Sequence, residues 1–242
     1  MSTSDRELLR RRILKQTDCW WTVAFVDPLA IRLLPPLARR PWVTPFRLTA
    51  TAALLGVVSG VLFATGHVVL AAVCFEARFF VDCLDGKLAR LRGVSSPRGA
   101  FFDLGCDLVL VSGNLAALGW HLANRNDVPL ALPLVVVNLC VVSFWFLLYR
   151  DLKVPAARPE PEATGAGERG IKSRVGEWFD RHRLVRSPHM VEFETLALFL
   201  MPLTGRTSLI VAGLVLAGIY YLLASARLVA VIYRSVPAVT EA

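Results

Sequence analysis

The stretch VDCLDGKLARLRGVSSPRGAFFDLGCDL, residues 81–108, carries Asp82, Asp85, Asp103 and Asp107 near the ends of two long apolar segments. Read as helices, the first two aspartates are three apart and the last two are four apart, so each pair shares a helix face. The polar turn Arg90 to Arg98 joins the two helices and lets those faces meet. Four carboxylates at membrane depth are too costly to leave unpaired. A divalent cation is the cheapest way to keep them ionised, and an oxygen-rich cluster suits Mg²⁺ or Mn²⁺. The stretch therefore reads as a metal site, and as a candidate active site.

Working outward, the chain has 242 residues, 55% of them hydrophobic, and a mean hydropathy of +0.53. Such a composition points to a membrane protein rather than a soluble domain. The net charge of +8 could signal nucleic acid, but the Lys and Arg residues lie between apolar segments and form no compact basic motif with interleaved aromatics. Membrane topology explains them, and no nucleic-acid partner is expected. Five cysteines form no CxxC pair and read as small buried residues. The N-terminus shows no apolar core followed by a small-residue cleavage site, so no removable signal peptide is expected.

Six apolar segments can be marked: Leu48–Gly66, Val68–Leu88, Ala100–Ala123, Val128–Tyr149, Val191–Leu203 and Thr207–Tyr233. Most reach the roughly 20 residues that cross a bilayer as a helix, and the fifth is short. Backbone groups in lipid must be satisfied within the segment, which makes helices the default. The fold expected is an all-α integral membrane protein of six transmembrane helices, preceded by an amphipathic juxtamembrane helix. Residues 1–47 form its N-terminal region, 48–234 its membrane domain with a polar loop at 150–190, and 235–242 its tail.

In Leu8–Arg40, Trp20, Trp21, Phe25, Leu29, Leu33 and Leu37 alternate with Arg and Lys, as in a helix lying at the interface. Pro28, Pro35 and Pro36 should break it into pieces. The loop contains KVPAARPEPEATGAGERG, a linker composition, and a short surface helix is expected near Arg174–Arg183. Nearly all Lys and Arg fall in the N-terminal region, the aspartate turn and this loop. That distribution places both termini and the aspartate turn in the cytoplasm, with the cell membrane as the expected location.

Small residues flank the aspartates. Gly86 and Ala89 lie one turn beyond Asp82 and Asp85, and Gly99 lies one turn before Asp103, leaving room for a ligand. Arg90 ends that face, where a guanidinium can hold a phosphate through two hydrogen bonds. Room, metals and an arginine together suggest a nucleotide or pyrophosphate.

At this point the sequence resembles a known family. Asp82-x2-Asp85-Gly86-x2-Ala89-Arg90-x8-Gly99-x3-Asp103-x3-Asp107 is similar, position for position, to the signature of the CDP-alcohol phosphotransferases. The apolar segments, the amphipathic N-terminal region and the stretch Thr44–Thr49 also look like that family. One departure is Phe46, where members often carry Asn, so any polar contact of that Asn is absent here.

The resemblance implies an enzyme of phospholipid biosynthesis. A CDP-linked lipid, usually CDP-diacylglycerol, passes its phosphatidyl group to an alcohol and releases CMP. It implies Asp82, Asp85 and Asp103 as metal ligands, Asp107 as a further ligand and the general base, and two Mg²⁺ or Mn²⁺ ions. Asp85, Gly86, Ala89, Arg90 and Gly99 would line the CDP pocket. Family members that accept phosphorylated alcohols grip the phosphate with basic residues, a role open here to Arg227, Arg150 and Lys153. The favoured acceptor is a phosphorylated polyol such as glycerol 3-phosphate, with inositol phosphate, serine, an aminoalcohol or phosphatidylglycerol as alternatives. A homodimer is an assembly the resemblance admits. From other classes, a cation transporter and an inactive relative stay open.

Overall fold

The computed structural model describes residues 3–126, 128–139 and 171–235. All regular structure among these residues is helical, with one isolated parallel bridge, Asp18 to Leu184. Helix α1 is Thr3–Ile13, and a π turn at Thr22–Val26 runs straight into α2, Asp27–Ala38. Three long helices follow: α3, Pro45–Thr65; α4, Val68–Arg92; and α5, Pro97–Arg125. Residues 131–139 form α6 and Ile171–Arg181 form α7. Helix α8 is built from Met190–Thr195, a π turn at Leu196–Leu200, and Met201–Leu203, and α9 is Thr207–Ser235.

Local chemistry sets the helix ends around the aspartates. Thr44 Oγ1 accepts the Arg47 amide at 3.2 Å and Pro45 opens α3, where its missing N–H costs nothing. Gly93 closes α4 with a left-handed φ of 69°. Three residues on, Ser96 Oγ accepts the Gly99 amide at 3.0 Å and Pro97 opens α5. These caps shorten the joining turn from the expected Arg90–Arg98 to residues 93–96. Pro28 likewise opens α2 rather than breaking it, and Pro35 and Pro36 sit in its closing turns. The expected short surface helix is present as α7.

Among the described residues, three helical stretches, Pro45–Thr65, Phe101–Arg125 and Thr207–Arg227, are long and apolar enough to cross a membrane. Their outer faces carry exposed Leu54, Val57, Val61, Val109, Trp120, Leu216 and Ile219, the pattern of a surface that meets lipid. Helix α4 has the length of a span but carries Glu76, Arg78, Asp82, Asp85 and Lys87 along it. Of the expected fourth segment, residues 140–149 lie outside the described residues, and α8 is as short as its sequence suggested.

Among the described residues, two apolar clusters hold the fold. One joins α3, α4, α5, α8 and α9 through Phe63, Phe75, Leu118, Leu198, Leu214 and Tyr221. The other pins α1 and α2 to the aspartate end of α4 through Ile13, Ala30, Leu34, Leu84 and Leu88. Asp27 of α2 reinforces it, pairing with Lys87 Nζ at 3.2 Å and with Arg183 Nη1 at 3.0 Å. Helices α3, α4 and α5 meet closely at Gly56. A Cβ there would stand 2.8 Å from Leu110 Cδ2 and 3.1 Å from Arg78 Cδ, so hydrogen is what the contact admits. Cys19, Cys74, Cys83 and Cys106 are free, and burial pushes the Cys19 thiol up to about 11.

Candidate active site

The last turns of α4 and the first turns of α5 bring three of the four aspartates together. Asp82, Asp85 and Asp103 each offer a carboxylate oxygen, and these oxygens all lie within 4.8 Å of one another. Asp85 is buried, and its Oδ2 accepts a hydrogen bond from the Thr49 hydroxyl of α3. Asp103 Oδ1 is buried with no hydrogen-bond partner. An orphaned carboxylate oxygen inside an all-oxygen cage is what a hard divalent cation would satisfy, so these residues fit Mg²⁺ or Mn²⁺.

Asp107 is paired with a buried arginine. Its Oδ1 accepts from Arg78 Nη1 at 2.6 Å, and the Arg78 side chain is only 2% exposed. Arg78 also lies over the Phe75 ring, 5.1 Å from its centroid. A buried guanidinium thus occupies one oxygen of Asp107 and leaves Oδ2 outside the pair. Arg78 lies four residues before Asp82 and so on the aspartate face of α4. Its neighbour Glu76 accepts from Trp21 Nε1 at 2.7 Å.

The remaining residues of the sequence motif divide in two. Gly86 and half-buried Ala89 lie on α4 beside the cage, and a Cβ on Gly86 would approach Arg90 Nη1 to 3.6 Å. Arg90 spends Nε on the Ile13 carbonyl at 2.9 Å, which ties α1 to the site, and its two Nη groups make no hydrogen bond among the described residues. Gly99 is exposed in the first turn of α5. Arg227 is exposed on α9 and makes no hydrogen bond or ion pair among the described residues, and Arg150 and Lys153 lie outside them. Glu192 caps α8 by accepting the His189 amide at 2.6 Å, and Glu194 accepts from the Tyr221 hydroxyl at 2.8 Å.

Thr49, like Arg78, is a site residue that the sequence motif did not single out. Its hint was its place in Thr44–Thr49, one turn into α3, but only packing sets it opposite Asp85.

Comparison with known proteins identifies the family. Phosphatidylinositol phosphate synthase of Corynebacterium glutamicum is 36% identical over 109 residues, which are 44% of this chain and 49% of that protein. The matched part thus spans about half the length of that relative, and the homodimer gains no support from it. Residues 42–232, which contain the whole aspartate cluster, Thr49 and Arg78, match the family CDP-alcohol phosphatidyltransferase. The chain belongs to the CDP-alcohol phosphatidyltransferase family.

Proposed function

We propose that this chain transfers a phosphatidyl group from CDP-diacylglycerol to the hydroxyl of a phosphorylated polyol, releasing CMP. The observation that carries the proposal is the cage of Asp82, Asp85 and Asp103 with its orphaned Asp103 oxygen, set beside an Asp107 held by Arg78.

In this reaction the acceptor oxygen bonds to the β-phosphorus of the donor, and the bond from that phosphorus to the bridging oxygen breaks. Asp107 is the base: Arg78 holds Oδ1, so the carboxylate is oriented and Oδ2 is left to take the hydroxyl proton. Asp82, Asp85 and Asp103 would hold the cations, with Asp107 at their edge. Thr49 fixes the rotamer of Asp85, as an outer partner orients a ligand. One or two Mg²⁺ or Mn²⁺ ions would supply charge neutralisation of the pyrophosphate and of the departing CMP. Gly86, Ala89 and Gly99 leave space for the CDP moiety, and Arg90 offers its Nη groups to a phosphate.

Within the polyol phosphates, glycerol 3-phosphate and an inositol phosphate both suit the reaction. The similarity to a phosphatidylinositol phosphate synthase favours the second, and a cation at Arg227, Arg150 or Lys153 would serve either phosphate. The apolar segments support six spans across residues 48–234, the aromatic and basic mixture supports an interfacial region at 1–47, and the distribution of Lys and Arg supports a site facing the cytoplasm at the cell membrane. Purified protein given CDP-diacylglycerol, Mg²⁺ or Mn²⁺ and a panel of alcohols tests the assignment, with the lipid product weighed by mass spectrometry. Release of CMP with a polyol phosphate is the expected result; release with serine or an aminoalcohol alone would refute the acceptor class.

A further inference from the structure

A cleft of about 640 Å³ opens between α1, α2 and the segment that follows α7, and none of the four motif aspartates lines it. Arg10, Arg11 and Lys15 line one wall, Arg183 the other, and Pro28 and Ile31 contribute an apolar floor. Two carboxylates also reach it, Glu7 and Asp27, and both are engaged. Glu7 pairs with Arg11 at 3.5 Å, and Asp27 is held by Lys87 at 3.2 Å and Arg183 at 3.0 Å. The side chains of Arg10 and Lys15 make no hydrogen bond or ion pair among the described residues. The cleft is therefore net cationic, with two uncommitted cations on one wall.

Its walls are tied together across the sequence. Arg183 has φ of 61°, the one positive φ outside glycine among the described residues. Such a backbone persists where surrounding bonds over-determine it. Here Arg183 donates from Nε and Nη2 to the Lys15 carbonyl at 2.9 and 2.7 Å, and from Nη1 to Asp27. The Asp18 amide donates to the Arg183 carbonyl at 2.9 Å and the Val185 amide to the Asp18 carbonyl at 3.1 Å. The strained residue thus fixes Lys15 opposite itself and still has donor hydrogens left over, since a guanidinium carries five.

We propose that this cleft binds the phosphate of an anionic ligand, with the headgroup of an anionic phospholipid as its occupant. Phosphate suits arginine forks and a lysine point charge, and the apolar floor suits the glycerol and first methylenes next to it. The same segment exposes Phe25, Leu29 and Leu33 in a row at spacing four, the apolar face of an interfacial helix. That face sets α2 at the interface, and the cleft residues Asp27 and Ile31 lie on the other side of the helix, about 200° round from Leu29 and Leu33. The cleft contains none of the residues assigned to the transfer reaction, so the proposal stands independently of that assignment.

The test uses the full chain in detergent and counts retained short-chain phosphatidylglycerol and phosphatidylcholine by native mass spectrometry. Phosphatidylglycerol should be retained and phosphatidylcholine not. The double variant Arg10→Gln/Lys15→Gln should bind about 30-fold more weakly, and each single variant about fivefold, from the usual worth of one cation near a headgroup. The single variants keep the test alive should the double variant fail to fold. Arg12→Gln/Arg39→Gln removes the same charge from exposed positions outside the cleft and should bind as wild type does. Displacement by excess inorganic phosphate would make the phosphate group alone sufficient; resistance to it would show that the lipid's glycerol and chains contribute. Equal weakening in both double variants, or no weakening in the cleft variants, would overturn the proposal.

Discussion

Replacing Arg78 by Met isolates the buried ion pair. Methionine keeps most of the aliphatic stem that packs near Gly56 and removes the charge that Asp107 faces at 2.6 Å. Breaking one side of a buried pair costs roughly 3–5 kcal/mol. The Asp107 side chain is 36% exposed, so water recovers part of its solvation, and the lower end, about 3 kcal/mol, is expected. For a chain of this size that loss lowers the unfolding midpoint by about 6–12 °C, readable by tryptophan fluorescence in detergent. The double variant Arg78→Met/Asp107→Asn leaves neither charge stranded and should recover most of the loss. Additivity of the two single changes within about 0.5 kcal/mol would refute the pair as an energetic unit. Turnover should fall in Arg78→Met as well, since Asp107 would lose its orientation, and Arg78→Lys should restore part of it.

Three further outcomes follow from the same geometry. Asp107→Asn should reduce CMP release by about 10²–10⁴-fold while donor binding survives, because the amide cannot accept the proton; wild-type turnover would remove Asp107 as the base. Thr49→Val should weaken Mn²⁺ binding about 10–100-fold in an electron paramagnetic resonance titration, and Thr49→Ser should not, because the hydroxyl alone orients Asp85. Gly56→Val should destabilise by about 1–3 kcal/mol or more, since its Cβ meets Leu110 at 2.8 Å, and thermal unfolding would measure it.

Much of the site is legible in the sequence because it rests on helix geometry. The spacing of Asp82 and Asp85 on one helix and Asp103 on the next suffices to predict a shared cage, and the caps at Gly93 and Ser96-Pro97 were there to be read. Asp107 shows the limit of such spacing. It shares a face with Asp103, yet its partner is Arg78, and that choice depends on the register of α4 against α5, which close packing at Gly56 sets. Thr49 is hidden for the same reason. The basic cleft is further still from sequence reasoning, because Arg183 meets Lys15 across 168 residues and a left-handed backbone with no glycine to announce it. Arg227, a candidate for the acceptor phosphate, stands exposed on α9 with no partner among the described residues.

The central claim is that an acceptor hydroxyl attacks the β-phosphorus of a CDP-linked lipid at the aspartate cage. CDP-diacylglycerol labelled on its β-phosphate, mixed with a polyol phosphate carrying ¹⁸O in the reacting hydroxyl, tests it directly. The account predicts that the new lipid carries both the phosphorus label and the ¹⁸O in its phosphodiester, that CMP carries neither, and that Asp107→Asn suppresses the product. Label appearing in the nucleotide, or a lipid product without ¹⁸O, would contradict it.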